Sequence, residues 1–282
     1  MAWLTDPFHS QLIRDGWLAG VLAVLTCSVV GTWVVIRSLG FMGDALAHAV
    51  LPGIALATLV GISPVLGAFA AAIVAVVFIQ VATGKGRVTE DTGIGLAFVG
   101  MLALGVIIIS RSDSFATDLG AYLFGDVLGV RSLDLWVEGG AAVVALVASA
   151  VLYRPFLALS FNELKAASLG MRPRAASAAM LLLLALSIVS SFRAVGSLLV
   201  FGLLVAPPAT ASLLVRRVPA IMALGTLLGA LAVTAGILVS YHFDTAASAT
   251  MAGIAVGLFF CVLATREVAA RLGRHTGAPS PA

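Results

Sequence analysis

The chain has 282 residues, of which 61% are hydrophobic and 10% are charged, and its mean hydropathy is +1.13. Soluble domains carry about 25% charged residues, so this composition excludes a water-soluble globular protein and predicts a chain that lies in a lipid bilayer. The net charge of +3 is typical of a membrane protein with basic cytoplasmic loops, and we do not interpret it as nucleic-acid binding. Cys27 and Cys261 both fall in apolar segments, which predicts buried free thiols rather than a disulfide.

Apolar stretches of about 20 residues recur along the whole chain and predict an all-α, polytopic membrane bundle of about eight or nine transmembrane helices over residues 16–266. An amphipathic segment, residues 1–15, precedes the bundle and contains a short surface helix over residues 7–15. A basic cytoplasmic tail, residues 267–282, follows it. The predicted spans are residues 16–36, 43–60, 65–83, 92–110, 135–157, 175–192, 194–215, 218–239 and 245–265.

The distribution of charge predicts the orientation of the bundle. Basic residues cluster in residues 85–87, in residues 165–174, at Arg216-Arg217 and in the tail, and the positive-inside rule places these segments in the cytoplasm. The acidic segments, residues 113–126 and 240–244, then face outward. With nine spans the N-terminus lies outside, and Asp44 lies toward the inside.

Three prolines fall inside predicted spans. Pro52 interrupts the second span, and Pro207 and Pro208 interrupt the seventh. Because proline has no backbone N–H, we predict helix breaks at these positions, of the kind that membranes tolerate where protein or a cavity covers the backbone.

Asp44 and His48 are the leading candidates for a functional site. Asp44 directly precedes a run of 40 residues, 45–84, that contains no Asp, Glu, Lys or Arg, and His48 lies within that run. In a helix the two residues are i and i+4, so an oxygen and a nitrogen ligand point the same way, about 6 Å apart at their Cβ atoms. This pair suits divalent manganese, iron or zinc, with further ligands supplied from elsewhere. The alternative is a carboxylate at the start of a helix and a histidine hydrogen-bonded in a core.

Asp244 and Asp91 are weaker candidates for the same metal path. Asp244 follows the eighth span, and Asp91 precedes the fourth. Either residue could equally be a solvated loop charge. The chain has no G-x-x-x-x-G-K-[ST] phosphate loop, no serine nucleophile elbow and no zinc-binding HExxH or CxxC pattern, so we predict neither ATP binding by this chain nor an enzyme.

Residues 160–174, SFNELKAASLGMRPR, are too charged to span a membrane. Their apolar side chains share one helical face, which predicts a short amphipathic helix closed by Gly170 and stopped by Pro173. An ordinary interfacial loop helix is the alternative.

Residues 37–53, RSLGFMGDALAHAVLPG, closely resemble the signature of the permease subunits of zinc and manganese ABC importers. Shorter motifs resemble that family in the family's order. They are EDTGIG at 90–95, YLFG at 122–125, VGSLLV at 195–200, PPATA at 207–211 and the region of Asp244. The resemblance covers about residues 16–266. The chain departs from the pattern at Leu39-Gly40-Phe41 and at Pro207.

The resemblance implies an architecture similar to the vitamin B12 and siderophore importers, in a multi-pass protein of the bacterial plasma membrane. It implies a homodimer, two cytoplasmic ABC ATPases that alone bind ATP, and an extracellular or periplasmic metal-binding protein. Asp44 and His48 would belong to the path of the transported manganese or zinc, with no stably bound cofactor. Residues 161–172 would be the coupling helix that fits the ATPase, with contacts from Phe161, Asn162, Glu163, Leu164, Ala167, Leu169 and Gly170.

Alternating access driven by the ATPases is the mechanism that we expect. A self-sufficient secondary transporter or channel, with Asp44 and His48 as an ion relay, is the alternative from another class. The third possibility is a membrane scaffold, in which Asp44 and His48 only hold helices together.

Overall fold

A computed structural model of the chain describes residues 6–83, 89–110, 125–161, 167–168 and 170–275. These residues are almost entirely helical, because a backbone in hydrocarbon must satisfy its own hydrogen bonds. Short 3₁₀ turns lie at Asp6–His9 and Val127–Gly129. The α-helices are α1 (Gln11–Ile36), α2 (Gly40–Ala49), α3 (Leu51–Val60), α4 (Pro64–Thr83), α5 (Glu90–Ile109), α6 (Ser132–Val151), α7 (Tyr153–Phe161), α8 (Pro173–Val195), α9 (Ser197–Leu214), α10 (Val218–Phe243) and α11 (Ala247–His275).

Eight stretches in the described part of the chain are long and apolar enough to cross a membrane. They are α1, α2 together with α3, α4, α5, α6, α8, α10 and α11. Helix α9 is apolar but shorter. These helices confirm the predicted all-α membrane bundle of eight or nine spans.

Helix α1 lies at the centre of the bundle and packs against α6, α8, α9 and α10. More than half of its 26 residues are buried, including Trp33, which is fully buried. Small residues allow this close packing. A Cβ atom at Gly31 would collide with the backbone of Leu204 in α9, and one at Gly20 would lie 2.8 Å from the side chain of Val233 in α10.

Side-chain contacts fix the direction of the helices. The Trp17 indole near the start of α1 donates a 3.0 Å hydrogen bond to Thr234 in the last third of α10. Asp134 at the start of α6 pairs with Arg193 at the end of α8, at 3.1 Å. The Trp33 indole donates to Ser149 where both α1 and α6 end. Helices α1 and α6 therefore run in the same direction, and α8 and α10 run in the opposite one.

The two ends of the bundle differ in charge. We call the end that holds Asp126, Asp134 and Asp244 the acidic end. The opposite end, the basic end, holds Arg154, Arg172, Arg216, Arg217, Arg266 and Arg271. The positive-inside rule predicts that the basic end is cytoplasmic.

The predicted helix break at Pro207-Pro208 is wrong, because α9 runs through both prolines. The chain changes helix at Gly196, between α8 and α9, where φ is +91° and ψ is 143°, close to the predicted boundary between the sixth and seventh spans. Neighbouring helices cover the prolines, with Gly225 of α10 against Pro208 and Gly31 of α1 on the other side. At Pro52 the chain does change helix, since α2 ends at Ala49 and α3 begins at Leu51.

Three further expectations differ from the structure. The separate surface helix over residues 7–15 is absent, because α1 already begins at Gln11. The predicted fifth span is divided at Leu152 into α6 and α7. Two non-helical residues precede Pro173, which occupies the first turn of α8, where its missing N–H costs nothing. Helix α11 continues beyond the predicted span into the basic tail.

Candidate functional site

Asp44 and His48 lie on one face of α2, as their spacing predicts. Asp44 Oδ1 and His48 Nε2 are 3.7 Å apart, and the side chains are 38% and 20% exposed. The other faces of α2 are packed, with Met42, Leu46 and Ala49 buried and Gly43 close to Phe201 and Leu204 of α9. Packing therefore holds the backbone of α2, while the carboxylate and the imidazole remain partly open.

The aromatic ring of Phe98 in α5 packs against the imidazole of His48. The edge of one ring meets the face of the other, because the His48 and Phe98 rings are 5.2 Å apart with an interplanar angle of 78°. Phe41, one turn before Asp44, also packs on Phe98 and is 52% exposed. These contacts limit the rotation of the imidazole.

The nitrogens of His48 have spare bonding capacity. Nδ1 is buried and has no hydrogen-bond partner among the described residues. Nε2 is 3.7 Å from Asp44, too far for a good hydrogen bond. A buried polar atom without a partner is costly, so such atoms call for an explanation.

Pro52 shapes the segment directly after the pair. It has no N–H to give to the carbonyl of His48 four residues earlier, and the N–H of Val50 approaches that carbonyl instead. Gly105 of α5 lies against Pro52, so α5 follows both α2 and α3 across this kink. The kink therefore lies one turn from the candidate ligands.

The structure does not bring Asp244 to this pair. Asp244 caps α10 at the acidic end with left-handed dihedral angles, φ +51° and ψ 37°, and it is exposed. Asp44 lies on α2, which starts at the basic end. Asp91 is in the first turn of α5, two turns before Phe98, and its side chain lies outside what the structure describes. Among the described residues, no three His, Cys, Asp or Glu side chains are grouped so that they could hold a metal ion.

The predicted coupling segment is only partly within the described residues. Asn162, Glu163, Leu164 and Leu169 lie outside them. Phe161 ends α7 and is 82% exposed. Ala167 accepts a 3.0 Å hydrogen bond from the N–H of Gly170, whose φ of +72° fits the predicted helix end.

Sequence reasoning missed a buried polar cluster where α1, α6 and α8 meet. Glu138 of α6 is 2% exposed, and Ser191 of α8 donates a 2.7 Å hydrogen bond to it. Ser187 donates to the thiol of Cys27 in α1 at 3.4 Å, and Ser191 is 3.9 Å from the same sulfur. Two features of the sequence could have indicated this cluster: the carboxylate of Glu138 within an apolar span, and Ser187 and Ser191 at i and i+4.

The comparison with protein families decides what kind of membrane protein this is. Residues 9–266 match the family model described as the ABC 3 transport family. The chain belongs to the ABC 3 transport family. That match covers α1 to α10 and most of α11, so it includes both the Asp44–His48 pair and the segment between α7 and α8.

Relatives of this ABC 3 family member are similar to it in sequence along nearly its full length. It is 34% identical to the manganese transport system membrane protein MntC of Halalkalibacterium halodurans, over 89% of this chain and 88% of that protein. It is also 34% identical to the chelated iron transport system membrane protein YfeD of Yersinia pestis, over 92% and 86% of the two chains. The structure of PsaBC from Streptococcus pneumoniae in complex with Fab matches with a TM-score of 0.82 at 29% identity, covering 92% of this chain and 94% of that one.

These matches confirm the predicted family. The chain is a permease subunit of an ABC import system, a transport component rather than an enzyme. Its helices and its relatives make it a multi-pass protein of the bacterial plasma membrane.

Proposed function

We propose that this chain is the permease through which a divalent transition-metal ion, manganese first and iron or zinc as competitors, enters the cell. The observation that carries the proposal is the Asp44–His48 pair within an apolar span, in a family whose members include manganese and iron transport proteins. Ionisable side chains in a membrane are costly, and they mark ion pathways more often than structural contacts.

The chemistry of the pair supports a site that an ion passes rather than one that stores it. One carboxylate and one imidazole suit divalent manganese or iron, whose remaining ligands would be water or residues from elsewhere. The described residues group no third protein ligand with them. A site with few protein ligands binds weakly, which conduction requires because tight binding would slow release.

We further propose the assembly in which the permease works. A homodimer of this chain would bind two cytoplasmic ABC ATPases at the basic end and receive the ion from a metal-binding protein at the acidic end. The exposed Phe161 and the segment that follows it would contact the ATPase. ATP would then be bound and hydrolysed only on the partner chains, and the motion would reach α8 directly after residue 172.

Reconstitution in liposomes tests this function. Uptake of radioactive manganese, zinc and iron would be measured with the chain alone, with its ATPase, and with the ATPase and ATP. The proposal expects uptake that needs both the ATPase and ATP, with manganese preferred. Uptake by the chain alone that follows the membrane potential would support the secondary transporter instead.

A further inference from the structure

Three arginines lie near the junction of α9 and α10, beside the C-terminal part of α11. The guanidinium of Arg266 in α11 donates to the carbonyl oxygen of Leu213 in the last turn of α9. Arg216 and Arg217 follow after Val215, whose backbone is extended. A chain rises by about 3.5 Å per residue at most, so both arginines start within about 14 Å of Leu213. All three side chains are exposed.

No carboxylate of these helices neutralises the three arginines. Among the described residues of α9, α10 and α11, the acidic ones are Glu267 and, at the C-terminal cap of α10, Asp244. Asp244 lies at the opposite end of the bundle. Glu267 is directed toward Arg271, 4.0 Å away on the next turn of α11. The cluster therefore has a net positive charge that its own helices do not balance.

Apolar side chains border the cluster on the side of the membrane. Leu214, next to the arginines, is 51% exposed, and Phe260 of α11, about two turns before Arg266, is 60% exposed. Helices α9, α10 and α11 pack against one another, so both apolar side chains lie on helices that also carry the arginines or lead into them. The anionic headgroup of an amphipathic ligand would contact the arginines here, and its apolar part would contact these side chains.

We propose that Arg216, Arg217 and Arg266 bind the headgroup of an anionic phospholipid of the inner leaflet, with its acyl chains along α9 and α11. Guanidinium groups match phosphate geometry with two parallel hydrogen bonds, and basic clusters between transmembrane helices at the cytoplasmic face bind such headgroups. This inference goes beyond the proposed function and does not depend on which ion is transported.

Native mass spectrometry of the purified full-length chain tests the site. Cardiolipin, phosphatidylglycerol and phosphatidylcholine would be titrated against the wild type, the double variant R216Q/R217Q and the control R154Q/R172Q. The control removes two exposed arginines from the same end of the bundle. We expect R216Q/R217Q to bind cardiolipin and phosphatidylglycerol about tenfold more weakly, and the control to stay within about twofold of the wild type.

Several outcomes would overturn the proposal. Equal binding by R216Q/R217Q and the wild type would do so, and so would an equal loss in the control, which would indicate only a general effect of charge. Equal binding of phosphatidylcholine would show that the headgroup is not recognised. Competition by inorganic phosphate alone at comparable concentration would indicate a soluble anion instead of a lipid. If R216Q/R217Q is not monodisperse, R266Q provides the same test, with an expected loss of about threefold.

Discussion

Ser191 donates a 2.7 Å hydrogen bond to Glu138, and this bond joins α8 to α6 across a carboxyl group that is only 2% exposed. Cys27 of α1 lies at the same junction, beside both Ser187 and Ser191. The cluster is a polar junction of three helices inside an otherwise apolar bundle, and α8 is the helix that follows the predicted coupling segment.

Glu138→Ala should destabilise the bundle, because it removes the acceptor of the Ser191 hydroxyl and leaves a void. We expect a loss of about 1–3 kcal/mol. Glu138→Gln should be much milder, since the amide oxygen of glutamine can accept the same hydrogen bond. Thermal unfolding of the detergent-solubilised chain measures the difference. Equal unfolding temperatures for the two variants would show that the hydrogen bond has no stabilising role.

Helices α3 and α4 are in close contact at Gly53 and Gly67. Addition of one methyl group at this contact should lower the stability of the chain. A Cβ atom at Gly53 would collide with the carbonyl oxygen of Gly67 and lie 2.6 Å from Ala71. Gly53→Ala should force the helices apart and destabilise the chain by about 1–3 kcal/mol. Gly100→Ala in α5 is the matched control, because nothing lies within 4 Å of its new methyl group. The fraction of monodisperse protein after a heating series compares them, and equal fractions would contradict the packing described here.

Gly196 makes the junction between α8 and α9 with a φ of +91°, a region that only glycine adopts readily. Gly196→Ala should therefore cost about 1–3 kcal/mol through backbone strain. Gly139→Ala, in the middle of α6 with no atom within 4 Å, provides the control for the added methyl group. Unfolding temperatures of the two variants check this prediction. A stable Gly196→Ala variant would mean that the break is not at this residue.

Phe161 is the exposed aromatic residue that we expect the ATPase to bind. Aromatic residues that become buried at an interface can contribute about 2 kcal/mol, so Phe161→Ala should weaken binding of the ATPase about thirtyfold. Trp136→Ala is the control, because this residue is also highly exposed, at 79%, but lies at the acidic end. Binding of the ATPase to immobilised permease in detergent measures the effect. Equal losses in both variants would reject a contact at Phe161.

Hydropathy alone predicted the helices well, because a bilayer allows few other structures for an apolar chain. The predicted boundary between the sixth and seventh spans lies close to Gly196, where α8 gives way to α9, but hydropathy did not predict the division at Leu152. Pro207 and Pro208 look like breaks, but α1 and α10 cover them and the helix continues. The spacing of Asp44 and His48 predicted their shared face, since four residues make about one turn. The distance of the pair from Asp244 and the contact between His48 and Phe98 depend on which helices pack together. The spacing of residues along one helix does not predict that packing.

Metal uptake by Asp44→Asn tests the central claim most directly. The variant keeps the shape of the side chain but removes the charge that an ion would meet, so folding should be unaffected. Glu267→Gln, a charge loss at an exposed residue of the same cytoplasmic end, is the control. In proteoliposomes that contain the ATPase and ATP, we expect manganese uptake by Asp44→Asn to fall to the level of empty liposomes, with Glu267→Gln equal to the wild type. Normal uptake by a folded Asp44→Asn variant would show that the ion does not pass this pair.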